Sequence, residues 1–166
     1  MPRITDDKFI EGINRNIGII HKISRVYFTD ADDRKDACQE MLYQLWRSYP
    51  AFKGDAKFST WMYKVALNTA ITYSKKSSRE IPADMQTGNW HQLAADNNQQ
   101  HNQERMMLLY AAINTLSIID KAITLLYLDD NSYDEISDIT GLTKTNVSVR
   151  LVRIKKTLKE KLKNII

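Results

Sequence analysis

Between Lys144 and Ile166 the chain carries eight lysines and arginines and a single acid, Glu160. Cationic side chains repeated along one helix neutralise phosphates and release their counterions, which holds a polyanion without reading its sequence. In the preceding stretch, Glu104 to Thr143, seven acids stand against two bases, so charge is sorted along the chain. At the start of the basic stretch Lys144, Thr145, Asn146 and Ser148 are able to hydrogen-bond base edges, and Val149 to pack on a thymine methyl. Arg150 and Arg153 are candidate phosphate anchors. For the lysines after Lys155 a solvated face explains the charge equally well, because charge runs are commonly that. Val149 and Val152 lie opposite an apolar stripe and gain nothing from water, which favours a partner surface for the earlier turns.

A second cationic stretch surrounds "FKGDAKFSTWMYK". Lys57, Lys64, Lys75, Lys76 and Arg79 follow one another with no acid before Glu80, and Phe52, Phe58, Trp61 and Tyr63 are interleaved with them. Bases interleaved with aromatic rings suit a single-stranded nucleic acid, whose bases stack while the phosphates are neutralised. Phe58, Trp61 and Val65 also fall at the spacing of a core stripe, so Trp61 reads first as packing. Lys57, Lys64 and Asn68 are the better candidates for contact.

Catalytic chemistry finds no footing. His21, His91 and His101 are scattered, and Cys38 is the single cysteine, so neither a disulfide nor a cysteine zinc site can form within the chain. "DDNSYDEISDIT" begins like a calcium loop, but Tyr133 occupies a ligand position, Asp134 replaces the turn glycine and Thr140 the final glutamate. Neither a glycine-rich phosphate loop nor a nucleophile elbow is present. No catalytic residue, metal or cofactor is expected.

The elements that must position these groups are helical. Five glycines and three prolines in 166 residues are too few for an all-β chain, and the fold class is all-α. Apolar spacing predicts one helix from about Asp6 to Phe28, with Phe9, Ile13, Ile17, Ile20, Ile23 and Tyr27 inward. A second follows, capped by Thr29, Asp30 or Asp32 and stopped by Pro50. Gly54 and Asp55 turn a short loop, and a third helix runs from Phe58 to Lys76 with Ser59 or Thr60 as its cap. Residues 80–103, rich in Asn and Gln, read as a flexible linker between a domain at 1–79 and another at 104–166. Helices follow from Glu104 and from Ser117, the latter with Ile119, Ile123, Leu126 and Tyr127 inward. Ser132 caps a short helix, Gly141 leaves it at positive φ, and Thr143 caps the next, which makes a helix-turn-helix. Val147, Leu151, Ile154, Leu158, Leu162 and Ile165 form the inward stripe of that last helix. Neither a signal peptide nor an apolar run of about 18 residues is present, so a cytoplasmic protein with no membrane insertion is expected.

"LSIIDKAITLLYLDDNSYDEISDITGLTKTNVSVRLVRIKKTLKE" resembles the fourth region of bacterial extracytoplasmic-function (ECF) sigma factors. "DDRKDACQEMLYQLWRSYPAFKGDAKFSTWMYKVALNTAITYSKK" resembles their second region. The resemblance implies binding to RNA polymerase core enzyme, recognition of a minus-thirty-five element by the fourth region, and melting and reading of a minus-ten element by the second. Asp36, Gln39 and Glu40, in the family's "DxxQExxxxLW" pattern, are then the polymerase-docking edge. Lys53, Gly54, Asp55, Lys57, Ser59, Lys64 and Asn68 are the minus-ten contacts, with the loop capturing a flipped base. The family commonly has an anti-sigma partner. Ser137, Ser148 and Val152 depart from the usual family text, while Arg150 and Arg153 retain it.

Two other readings fit the residues less fully. A stand-alone helix-turn-helix regulator would dimerise on a palindromic duplex. A pure interaction module would be held by a regulatory partner that no residue here identifies.

Overall fold

The computed structural model describes residues 2–77 and 97–165, with side chains described for 7–76 and 101–163. The chain divides into two compact units, Met1–Glu80 and Ile81–Ile166. Among the described residues the elements are helical: α1 (Pro2–Arg15), α2 (Ile17–Tyr27), α3 (Ala31–Ser48), a short 3-10 turn (Tyr49–Ala51) and α4 (Phe58–Ser77) in the first unit. The second unit contains α5 (Asn97–Asn114), α6 (Ile118–Leu128), α7 (Tyr133–Thr140) and α8 (Lys144–Ile165). No described helix is long and apolar enough to cross a membrane.

In the first unit α2, α3 and α4 enclose a core of Ile20, Ile23, Val26, Met41, Leu45 and Met62, all essentially without solvent contact. Ala66 and Ala70 are also fully buried, and their small side chains let α4 approach its neighbours closely. Asp30 caps α3, accepting from the backbone N–H of Asp33 at 3.1 Å, as one of the three expected caps.

Three local expectations are corrected here. The helix expected over 6–28 is two helices, broken at Asn16 (φ −118°, ψ 18°). Its backbone N–H bonds Ile13 O, three residues back, and its side-chain Nδ2 donates to Gly12 O at 2.9 Å, a local alternative to the helical ladder that asparagine commonly offers. Helix α4 begins at Phe58, one residue ahead of Ser59 and two ahead of Thr60, with the first carbonyl, Lys57 O, accepting from Trp61 N at 3.1 Å. Ring packing at Phe58 overrides the cap preference of Ser59 and Thr60. The inward side of α4 centres on Met62, Tyr63, Ala66, Leu67 and Ala70, leaving Phe58, Trp61 and Val65 half-buried on its flank.

The second unit surrounds Ile113, Ile123, Leu126, Ile136, Val147 and Leu151. Helix α5 starts at Asn97, inside the stretch read as linker up to residue 103. Once the apolar turns around Tyr110 are anchored, each added residue costs only propagation, which glutamine supports well. The rest of that stretch, residues 80–96, lies outside the described residues, as does the side chain of Ile165. Tyr127, expected inward on α6, is 37% exposed, and the buried position is filled by Thr124, whose hydroxyl donates to Asp120 O.

The turn between α7 and α8 is held by several bonds at once. Ser132 caps the far end of α7, accepting from Glu135 N at 3.1 Å; at the turn itself Gly141 adopts φ 80°, and Thr143 accepts from Asn146 N at 3.1 Å. The Ser137 hydroxyl donates to Leu142 O across the turn, a bond that the alanine usual in the resembled family could not make. Gly141→Val, forced into the left-handed region, is expected to cost about 1–2 kcal/mol. The check is the thermal midpoint of the second unit, with Gly141→Asn, which tolerates that region, falling less.

Candidate nucleic-acid interfaces

Helix α8 presents Thr145, Val149, Val152, Arg153 and Lys156 to solvent, while Val147, Leu151 and Ile154 face the core. Val152 is 68% exposed and Val149 51%, so the outer face is an apolar strip flanked by cations. Ser148 is half-buried at its edge. Lys144 lies at the tip, with its ammonium 3.3 Å from Asp134 in an exposed ion pair that water weakens.

Asn146 and Arg150 occupy one flank of α8 rather than its outer face. The Arg150 Nη1 lies 3.0 Å from Asp120 Oδ1 of α6, and its Nε donates to Asn146 Oδ1 at 3.0 Å. The two arginines treated alike in the sequence are thus unlike: Arg153 is exposed and Arg150 is already engaged inside the unit. Asp120 was missed by sequence reasoning. Ser117 and Asp120 fit the pattern of a capping box, which assigns the acid to its own helix end. Glu135 does stay local, accepting from the Ser132 hydroxyl, whereas the Asp120 carboxylate reaches across to α8.

In the first unit the loop Lys53–Lys57 is exposed throughout, and Gly54 turns it at φ 79°. Its two ends are fixed by rings. Phe52 and Phe58 meet edge-on at 6.0 Å, both pack on Trp61 (5.0 and 5.3 Å), and Tyr49 lies 5.9 Å from Trp61. Tyr49 also lies 5.0 Å from Phe9, which meets Trp46 edge-on, so six rings form one connected cluster behind the loop. Along α4, Lys64 and Asn68 are exposed one turn apart, on the side that Lys57 and Trp61 begin. Ser59 is half-buried. The exposed side of α4 thus combines cations, an amide and a partly open indole, which can hold a single strand by charge and stacking.

Helix α3 presents Asp36 and Gln39 to solvent, with Glu40 half-buried and accepting from Gln44 Nε2 at 3.1 Å. Tyr43 and Trp46, 55% and 49% exposed, continue that face, and were not expected on it. The first turn of α3 is strongly acidic: partial burial, then the charges of Asp30, Asp36 and Asp32, push the Asp33 carboxyl above its ordinary range.

Elsewhere in the second unit an apolar groove of about 580 Å³ runs between α6 and α8, with Leu128, Leu158 and Leu162 on its walls. The Lys155 ammonium lies over the Tyr127 ring, 4.4 Å from its centroid, and its hydrogen bond to that phenol raises its pKa. Among the described residues no group of three His, Cys, Asp or Glu side chains is arranged to hold a metal ion.

Two family models match in succession: Sigma-70 region 2 over residues 13–80, and Sigma-70, region 4 over residues 106–158. The chain belongs to the sigma-70 family. Within that family it is an ECF sigma factor. It is 25% identical to the ECF RNA polymerase sigma-E factor of Escherichia coli (strain K12), over 99% of this chain and 97% of the relative. The sigma-E factor of Haemophilus influenzae is 27% identical over 81% of this chain and 77% of its own length. In fold it is similar to the sigma factor RpoE of Bartonella quintana, solved in complex with the anti-sigma factor NepR (TM-score 0.74, 20% identity, 94% of this chain and 97% of that one). It is also similar to CnrH, solved in complex with the cytosolic domain of CnrY (TM-score 0.69, 16% identity, 96% and 90%).

Proposed function

We propose that this chain binds the core enzyme of bacterial RNA polymerase in the cytoplasm and directs it to promoters, with no catalytic step of its own. Residues 1–79 act as the region 2 body and 104–166 as the region 4 body, with 80–103 connecting them. Helix α3 docks on the polymerase through Asp36, Gln39 and Glu40, extended by Tyr43 and Trp46. The Lys53–Lys57 loop and the outer side of α4, with Ser59 at the loop's edge, hold the melted minus-ten strand. Helix α8 enters the minus-thirty-five major groove through Thr145, Ser148 and Val149, with Arg153 on phosphate and Lys144, Asn146 and Arg150 alongside. By likeness to the solved neighbours, an anti-sigma factor is its regulatory partner.

The observation that carries this reading is that each sigma-70 region presents its own exposed cationic face, α4 in one and α8 in the other. A stand-alone regulator would need only the second. The test is reconstitution with core polymerase, followed by transcription from genomic promoter fragments. Co-elution and initiation at defined starts are expected. Co-elution without any defined start would refute the assignment, and tight binding to a palindrome by the chain alone would favour the regulator.

A further inference from the structure

Gly12 stands in the interior of α1. Glycine is a poor helix former, and one placed inside a helix calls for a packing reason. That reason lies opposite it. A methyl group added at Gly12 would meet Cζ, Cε1 and Cε2 of Phe58 at 2.7, 2.8 and 2.9 Å. Carbon atoms rest against each other at about 3.5–4.0 Å. The absent side chain is therefore a notch, and the outer edge of the Phe58 ring fills it.

Neither side of this contact has room to give. Phe9, a turn earlier on α1, and Ile13, the next residue, are 6% and 7% exposed and hold the helix in place. Phe58 is enclosed by Tyr49, Phe52 and Trp61, with ring centroids at 6.5, 6.0 and 5.3 Å. It is also the first residue of α4, and Lys57 before it closes the exposed loop that Gly54 turns. A ring pressed out of the notch moves the backbone it hangs from, and with it the Lys57 end of the loop.

We propose that Gly12 is a positioning residue for the minus-ten strand: its notch fixes the depth of the Phe58 ring, and so the place at which the Lys53–Lys57 loop meets an unstacked base. This rests on the proposed role of that loop in holding melted DNA. Gly12 itself needs no contact with the strand for the effect to arise.

The test uses holoenzyme reconstituted from core polymerase and the full chain, with a promoter fragment at which the wild-type holoenzyme initiates. The fragment is prepared fully paired, and again with the minus-ten element left unpaired; both are assayed in the cold, where the paired duplex stays closed. Wild-type holoenzyme is expected to bind the unpaired version more tightly by roughly tenfold or more, the worth of a stacked base. Gly12→Ala is expected to lose most of that gain, while binding of the paired version and co-elution with core polymerase stay as they were. Leucine has the Cβ, Cγ and two Cδ atoms of phenylalanine but lacks Cε1, Cε2 and Cζ, the three atoms that the added methyl would strike. In a Phe58→Leu background Gly12→Ala is therefore expected to leave the gain unchanged, and the cycle of four chains isolates the contact. An undiminished gain in Gly12→Ala overturns the proposal. So does an equal loss in both backgrounds, which would mean that the alanine does not act through the ring. Loss of core-polymerase binding, or equal weakening on both fragments, would mean that the notch holds the first unit together rather than the loop, and overturns it too. If wild-type holoenzyme gains nothing from the unpaired strand, the loop's own role falls, and this inference with it.

Discussion

Leu45→Ala is expected to lower the unfolding of the first unit by about 2–5 kcal/mol, because the side chain is fully buried between helices and the vacated space cannot collapse completely. For a body of roughly 80 residues that is a large share of its total stability. At about 4–8 °C per kcal/mol, the midpoint falls by at least roughly 8 °C. Calorimetry of the full chain is the measurement. One transition is expected to move while the other, belonging to the second unit, stays. Equal movement of both would mean that the two units unfold as one.

The second large effect is on DNA. Arg153 and Lys156 are exposed one turn apart on the outer face of α8, with no acid on that helix before Glu160. Reversing both to glutamate is expected to weaken promoter binding by holoenzyme on the order of 100-fold at low salt. The slope of log affinity against log salt falls by about two, since each lost phosphate contact removes roughly 0.9. The loss is uniform across promoter sequences, because phosphates carry no sequence information. Arg150→Glu behaves differently. It sets a carboxylate against Asp120 and destabilises the second unit, so its binding defect is accompanied by a lowered thermal midpoint. An unchanged salt slope in the Arg153/Lys156 double variant would show that another face of α8 meets the DNA.

The helices were legible in the sequence wherever apolar spacing was regular and caps were local. Ser117, Ser132, Gly141 and Thr143 each do what their residue types imply, because capping and positive φ are settled within four residues. Asn16 broke an otherwise regular pattern through a side-chain bond to its own preceding turn, which periodicity does not register. At Phe58 and Trp61 the spacing was read correctly as apolar but assigned to the wrong depth. Six rings drawn from α1, α3, the 3-10 turn, the residue that follows it and α4 gather in the first unit, and only the folded chain brings them together. The site divides in the same way. Exposed Lys57, Lys64, Asn68 and Arg153 could be named from charge and helical face. Asp120 could not, because its partner lies thirty residues away and its own neighbourhood offers it a sufficient local role as a cap residue.

The close turn at Gly141 joins an acid-bearing helix, with Asp134, Glu135 and Asp138, to the lysine- and arginine-bearing one. A body with one sign of charge beside the other has a permanent moment, and a duplex exerts torque on it before any atom touches. Misaligned collisions are turned rather than wasted, so the speed of productive encounter, and not only its strength, is set by how far apart these two helices hold their charges.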